Sequence, residues 1–138
     1  MSRENFAMAY STLPTDDLGI MMAAEAGVAY GAYQPLLERQ GIAGKDWAKL
    51  LHVSERTLQR IQQDKRRLDA EASERLLEVN RLMAHGAEVF GSQDRFLEWA
   101  NRVVYSLGSR RPIDLMQTLA GMRLLHAELG RIQYGMPA

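Results

Sequence analysis

The sequence predicts an all-α protein: a central helix-turn-helix unit, then a small helical domain, with residues 132–134 as a short terminal strand or an extended tail. Two observations carry this reading. From Gly44 to Gln63 the apolar residues Trp47, Leu51, Val53, Leu58 and Ile61 describe a helix, a three-residue turn and a second helix. Trp47 and Leu51 lie four apart on one helical face, and Leu58 and Ile61 three apart on another. Val53 plugs the angle between the two, and Ala48 lacks the bulk that would hold the second helix away. Around this stretch, apolar stripes at helical spacing are punctuated by helix starts and stops. Ser54, Asp69, Ser92 and Thr118 suit N-caps, and Gly41, Gly91 and Gly130 suit ends.

The elements follow in order. Met1 to Asp17 is polar and mixed and reads as an arm ending at Pro14. Leu18 to Gln40 is rich in alanine and methionine and reads as helix, with Gly27 and Gly31 as possible breaks. Their small-xxx-small spacing fits a turn, close packing or a dimer contact. Tyr33, Leu36 and Leu37 open the central unit. A polar turn, Asp64 to Arg67, leads through the N-cap Asp69 into a long helix, Ala70 to Phe90. Ala72, Leu76, Val79 and Met83 form its inner stripe, and Glu71 can pair with Arg75 on the wet face. Gln93 to Arg102 carries Phe96 and Trp99 as core, and Leu107 to Arg111 is a turn. Pro112 suits the first position of a helix reaching about Gln117. Leu119 to Leu129 is the last helix, with Met122, Leu125 and Leu129 turned inward. Three segments result: 1–34 as an N-terminal arm and dimerisation segment, 35–90 as the helix-turn-helix domain, and 91–138 as the terminal domain. The second boundary falls near Gly86 to Gly91.

Composition narrows the function classes. The 138 residues suffice for one or two small domains, and 46% apolar with 25% charged residues is ordinary for a globular chain. With no cysteine, disulfide scaffolds, thiol catalysis and cysteine-based zinc sites are excluded, and a reducing compartment fits. The most apolar stretch, Leu18 to Tyr33, contains Glu25 and falls short of the ~20 residues a spanning helix needs. No basic-then-apolar export signal precedes it, so the expected location is the cytoplasm, with no membrane partner. The formal net charge is zero, so any nucleic-acid signal must come from where the charges lie.

That signal sits in the second helix of the central motif, which resembles the helix-turn-helix of repressors. With Leu58 and Ile61 inward, the opposite face presents Glu55, Arg56, Gln59, Arg60 and Gln63. Arginine forks onto guanine and glutamine onto adenine in the major groove. Ser54 as N-cap aims the free amides of the helix start at a phosphate, and Thr57 is short enough to join it. Between Ser54 and Arg67, five positive residues (Arg56, Arg60, Lys65, Arg66, Arg67) stand against Glu55 and Asp64, a local net of +3. The plainer alternative is a packed helical hairpin with a solvated charged face. His52 holds the turn position where glycine is usual, and histidine tolerates positive φ better than most residues.

Nothing in the sequence assembles an enzyme. His52, His85 and His126 lie far apart along the chain, without a His-Glu-x-x-His arrangement, and no glycine-rich phosphate loop follows a strand. His126 reads as a helix-surface residue. No cofactor or metal is expected. At the tail, Arg131, Tyr134 and Met136 are flanked by Gly130, Gly135 and Pro137. They form either a frayed end or a plug for a partner's cavity.

From about Gly31 to Ala138 the sequence resembles the Xre/MbcA/ParS antitoxins of bacterial toxin–antitoxin pairs. Thr57, Leu58, Gln59 and Arg60 match one block. Trp99, Leu107, Gly108, Pro112, Asp114, Leu115, Gly121 and Leu129, closing on Gly130-Arg131-Ile132-Gln133-Tyr134-Gly135, match the other. The resemblance implies an antitoxin that neutralises a RES-type, NAD-depleting toxin by occluding its active site and represses its own operon as a dimer. It implies toxin contacts from Arg110, Arg111, Arg131 and Tyr134, with Gln133, Gly135 and Met136 beside them. Val103, Val104 and Ser109 depart from the family's usual proline, asparagine and second glycine. The partners expected are the toxin, operator DNA and a second copy of the chain. The alternatives are a stand-alone helix-turn-helix regulator with a different C-terminal partner and, from another class, an NAD-related enzyme.

Overall fold

The structure is a computed structural model that describes residues 13–135. Among the described residues there are eight α-helices: α1 (Asp17–Ala26), α2 (Tyr30–Arg39), α3 (Gly44–Leu51), α4 (Glu55–Gln63), α5 (Ala70–Phe90), α6 (Gln93–Ala100), α7 (Pro112–Leu115) and α8 (Leu119–Gln133). A 3-10 turn, Tyr105–Leu107, lies between α6 and α7. No sheet forms among these residues, and the one isolated bridge pairs Val104 with Arg110 in antiparallel fashion. The chain divides into two compact units, Met1–Leu77 and Glu78–Ala138.

In the first unit the apolar stripes close a core. Ile20, Leu37, Trp47, Ala48, Leu51, Leu58, Leu68, Ala72 and Leu76 are all buried. The Leu18–Gln40 stretch is two helices, broken at Gly27 and not at Gly31. Gly27 sits at φ +83 and closes against the Leu68 carbonyl, where a Cβ would collide. Gly31 continues inside α2, beside Gln62 of α4. The break is held by a closed polar knot. The Val28 N–H donates to Ser73 Oγ at 2.8 Å, the Ser73 hydroxyl donates to the Leu68 carbonyl at 3.2 Å, and the Leu68 N–H donates to the Val28 carbonyl at 2.8 Å.

In the second unit Val79, Leu82, Met83, Phe96, Met116, Met122, Leu125 and Leu129 are buried. Phe90, Phe96 and Trp99 pack as a cluster of mutually tilted rings with centroids 5.2–6.2 Å apart. Gly86 lets the Phe96 ring lie directly on the backbone of α5, since a Cβ there would enter the ring. Pro112 occupies the first turn of α7, and Ser92 and Thr118 cap α6 and α8.

Three expectations need correction here. The terminal segment is neither strand nor extended tail. Helix α8 runs through Gly130 to Gln133, and the turn comes at Gly135, with φ +64. Glycine weakens a helix interior by only about 1 kcal/mol, and the burial of Leu129 with the Glu128–Arg131 pair outweighs that. Helices α6 and α7 stop at Ala100 and Leu115, short of Arg102 and Gln117. His126 is not a surface residue. It is half-buried and meets His85 of α5, Nδ1 to Nδ1 at 2.8 Å, with the rings stacked at 5.0 Å.

Candidate functional site

The central motif has the geometry that its sequence requires. Helix α3 ends in a left-handed His52 (φ 59), whose N–H donates to Lys49 while the Val53 N–H donates back to Ala48 at 3.0 Å. This double closure lets the chain reverse in three residues. Ser54 then caps α4. Its Oγ accepts from the Thr57 N–H at 3.0 Å and donates to Thr57 Oγ1 at 2.8 Å, which leaves the Thr57 proton free to donate outward. The early amides of Glu55 and Arg56 point out of the helix start.

Along α4, Leu58 is buried, Ile61 and Gln62 are half-buried, and Glu55, Arg56, Thr57, Gln59, Arg60 and Gln63 are exposed. Neither the Arg56 nor the Arg60 guanidinium forms an ion pair or hydrogen bond among the described residues, so both side chains are available. A similar closure ends α4. Lys65 is left-handed at φ 54, its N–H donates to Gln62, and the Arg66 N–H donates to Ile61 at 2.9 Å. Lys65 is thereby projected past the helix end. Arg66 lies 3.6 Å from Asp64, an exposed pair. Arg67 differs from the rest of the basic set: its guanidinium donates to the Gly27 carbonyl at 2.6 Å and ties down the α1–α2 break. The sequence gives no local sign of that role.

In the second unit, the residues expected at a toxin interface fall into two groups. Arg110, Arg111, Gln133, Tyr134 and Gly135 are exposed, and Arg111 is held by Asp114 at 3.1–3.2 Å. That hydrogen bond raises the arginine's already high pKa. Arg131 is half-buried and committed: it donates to Glu128, which is 5% exposed and also accepts from the Ser106 hydroxyl at 3.1 Å. Met136 lies outside the described residues. Sequence reasoning missed Ser106 and Glu128. The Glu128–Arg131 spacing of three was the available signal.

Among the described residues no group of three or more His, Asp or Glu could hold a metal ion. The His85–His126 pair is half-buried. Burial first, then His85 and Arg81, push His126 down to about 4. Among the described residues no helix is long and apolar enough to cross a membrane.

Two family models match the chain. The antitoxin Xre-like helix-turn-helix domain matches residues 20–81, which hold the α3–α4 motif. The antitoxin Xre/MbcA/ParS C-terminal toxin-binding domain matches residues 85–135, which hold the Glu128 knot and the exposed tail. A comparison with curated proteins finds no match. With its two halves matched in this order, the chain belongs to the Xre-type antitoxins, a helix-turn-helix DNA-binding domain followed by a toxin-binding domain.

Proposed function

We propose that this antitoxin neutralises a RES-type, NAD-depleting toxin by occluding its active site, and that it represses its own operon as a homodimer in the cytoplasm. It acts as a stoichiometric binder rather than a catalyst. The observation that carries the reading is the outer face of α4. Arg56, Gln59, Arg60 and Gln63 stand exposed on a helix whose Leu58 is buried, in a chain whose other half is a toxin-binding domain. Arg56, Gln59, Arg60 and Gln63 meet base edges, Ser54, Thr57, Lys65 and Arg66 meet phosphates, and Glu55 accepts from a cytosine amine. A patch of +3 binds weakly alone, and two copies reading half-sites about one helical turn apart bind usefully. Leu18, Met21 and Met22, exposed together on α1, supply the apolar seam for that pairing.

At the other end, a cleft shaped for a dinucleotide attracts phosphates and stacks rings, so an inserted arginine or tyrosine blocks it. Tyr134, 75% exposed at the end of α8, is the ring best placed to enter. The test is co-expression with the toxin encoded by the adjoining gene, reading growth and cellular NAD. Rescue of both is expected, and failure of rescue would overturn the reading. Ending the chain after Gln133 removes Tyr134 while leaving Arg131 on Glu128, and is expected to weaken neutralisation while operator binding persists. For DNA, Arg60→Ala is expected to relax base choice at one position. Lys65→Ala should weaken all sequences alike and lower the salt slope by about one.

A further inference from the structure

The loop from Val103 to Arg110 is held more firmly than its exposure requires. Val103 and Tyr105 are 56% and 85% exposed. The backbone beneath them is pinned from both sides: the Val104 N–H donates to the Arg110 carbonyl at 2.9 Å and the Leu107 N–H to the Val104 carbonyl at 3.1 Å. Leu107 is buried and anchors the turn. The chain then reverses through Gly108 and Ser109, both left-handed at φ 74 and 57, the second against the steric preference of serine. Ser106 donates to Glu128, and Glu128 also takes the Arg131 guanidinium. A buried carboxylate is costly unless it is paired and hydrogen-bonded. Here one partner, Ser106, comes from the loop and the other, Arg131, from the next turn of α8, so the buried charge ties the loop to α8.

An aromatic ring facing solvent from a hydrogen-bonded loop backbone has the character of an interface anchor. It has an apolar body, a polar tip, two side-chain torsions and little entropy left to lose on binding. We propose that Tyr105, with Val103 beside it, is a second toxin contact, separate from the C-terminal segment. Its ring fills an apolar pocket on the toxin, and the exposed Arg110, which has no ion pair among the described residues, meets a carboxylate at the pocket rim. The inference rests on the toxin-neutralising reading above. The occupant is the toxin rather than a second copy because the loop lies within the toxin-binding stretch, residues 85–135. Glu128 also joins it to Arg131, on the segment that carries the other toxin contacts.

The test is titration of the full-length chain against the toxin from the adjoining gene. Tyr105→Ala is expected to weaken binding at least tenfold, mainly through faster dissociation, with Tm and operator affinity unchanged. Tyr105→Phe should retain most of the affinity, and Val103→Asp should lose it as Tyr105→Ala does. If Tyr105→Ala binds within twofold of the natural chain while Tyr134→Ala binds weakly, the second contact is overturned and the neutralising role stands. A changed oligomeric mass with unchanged toxin affinity also overturns it, placing the loop between copies. If the natural chain neither binds that toxin nor rescues growth, both readings fall.

Discussion

Lys65 occupies a conformation that ordinary side chains avoid, left-handed at φ 54, where it closes the end of α4. Such a position costs a non-glycine residue roughly 1–2 kcal/mol. Lys65→Gly is therefore expected to raise the stability of the DNA-binding unit by about 0.5–1 kcal/mol in chemical denaturation, after the entropy cost of glycine is deducted. The same substitution should weaken binding to every DNA sequence several-fold. A gain in stability with a loss of affinity would show that a charge is kept there against the fold's own preference. His126 makes a second prediction. At 2.8 Å between Nδ1 atoms, one ring donates and the other accepts, so the gap between those two nitrogens holds a single proton. With burial holding the folded His126 at about 4, against 6.5 in the unfolded chain, the unfolded state takes up a proton first as pH falls. The stability present above pH 6.5 is therefore lost between 6.5 and about 4. Tm is expected to fall across that window, and His126→Gln should make the fall shallower.

At the scale of elements, the helices that sequence reasoning placed well have their signals in neighbouring residues. Helix α4 has its cap at Ser54 and its inward Leu58, and α5 has Asp69 at its start and Gly91 just past its end. Both begin and end where those residues indicate. What escaped was joined across the chain. The Val28–Ser73, Ser106–Glu128 and His85–His126 contacts span 45, 22 and 41 residues, and no periodicity announces them. The Val103–Ser109 loop, which departs from the family's pattern, is also where the bridge to Arg110 and the 3-10 turn went unforeseen. Gly130 misled for a different reason: a glycine read as a helix stop can also be a helix residue kept small. An added Cβ at Gly130 meets open space, so nothing among the described residues requires glycine there. Gly130→Ala is expected to stabilise α8 by up to about 1 kcal/mol. If the toxin approaches the helix closely at this point, the same change lowers toxin affinity more than tenfold. Equal affinity would show that the gap is idle.

For the whole molecule, the two activities predict a concentration-dependent operator complex. Sedimentation should show a dimer, and Met21→Asp with Met22→Asp should convert it to monomers that bind a single half-site at least tenfold more weakly. An unchanged dimer would remove α1 from the seam. Helix α5 carries a further consequence. Its Ala72 and Leu76 are buried residues of the first unit, and its Val79 and Met83 are buried residues of the second. The boundary between units therefore falls inside a continuous helix rather than in a linker. Natural modules are exchanged most easily at exposed loops, where a cut costs little. A recombination point within α5 would break hydrogen-bonded backbone and part a stripe of leucines. The turn at 64–67 is the nearer place to cut, and a join there would carry all of α5 with the toxin-binding half. Such a join would also strip the first unit of its buried Ala72 and Leu76, so new toxin specificities are expected to arise by substitution at the surface rather than by exchange of halves.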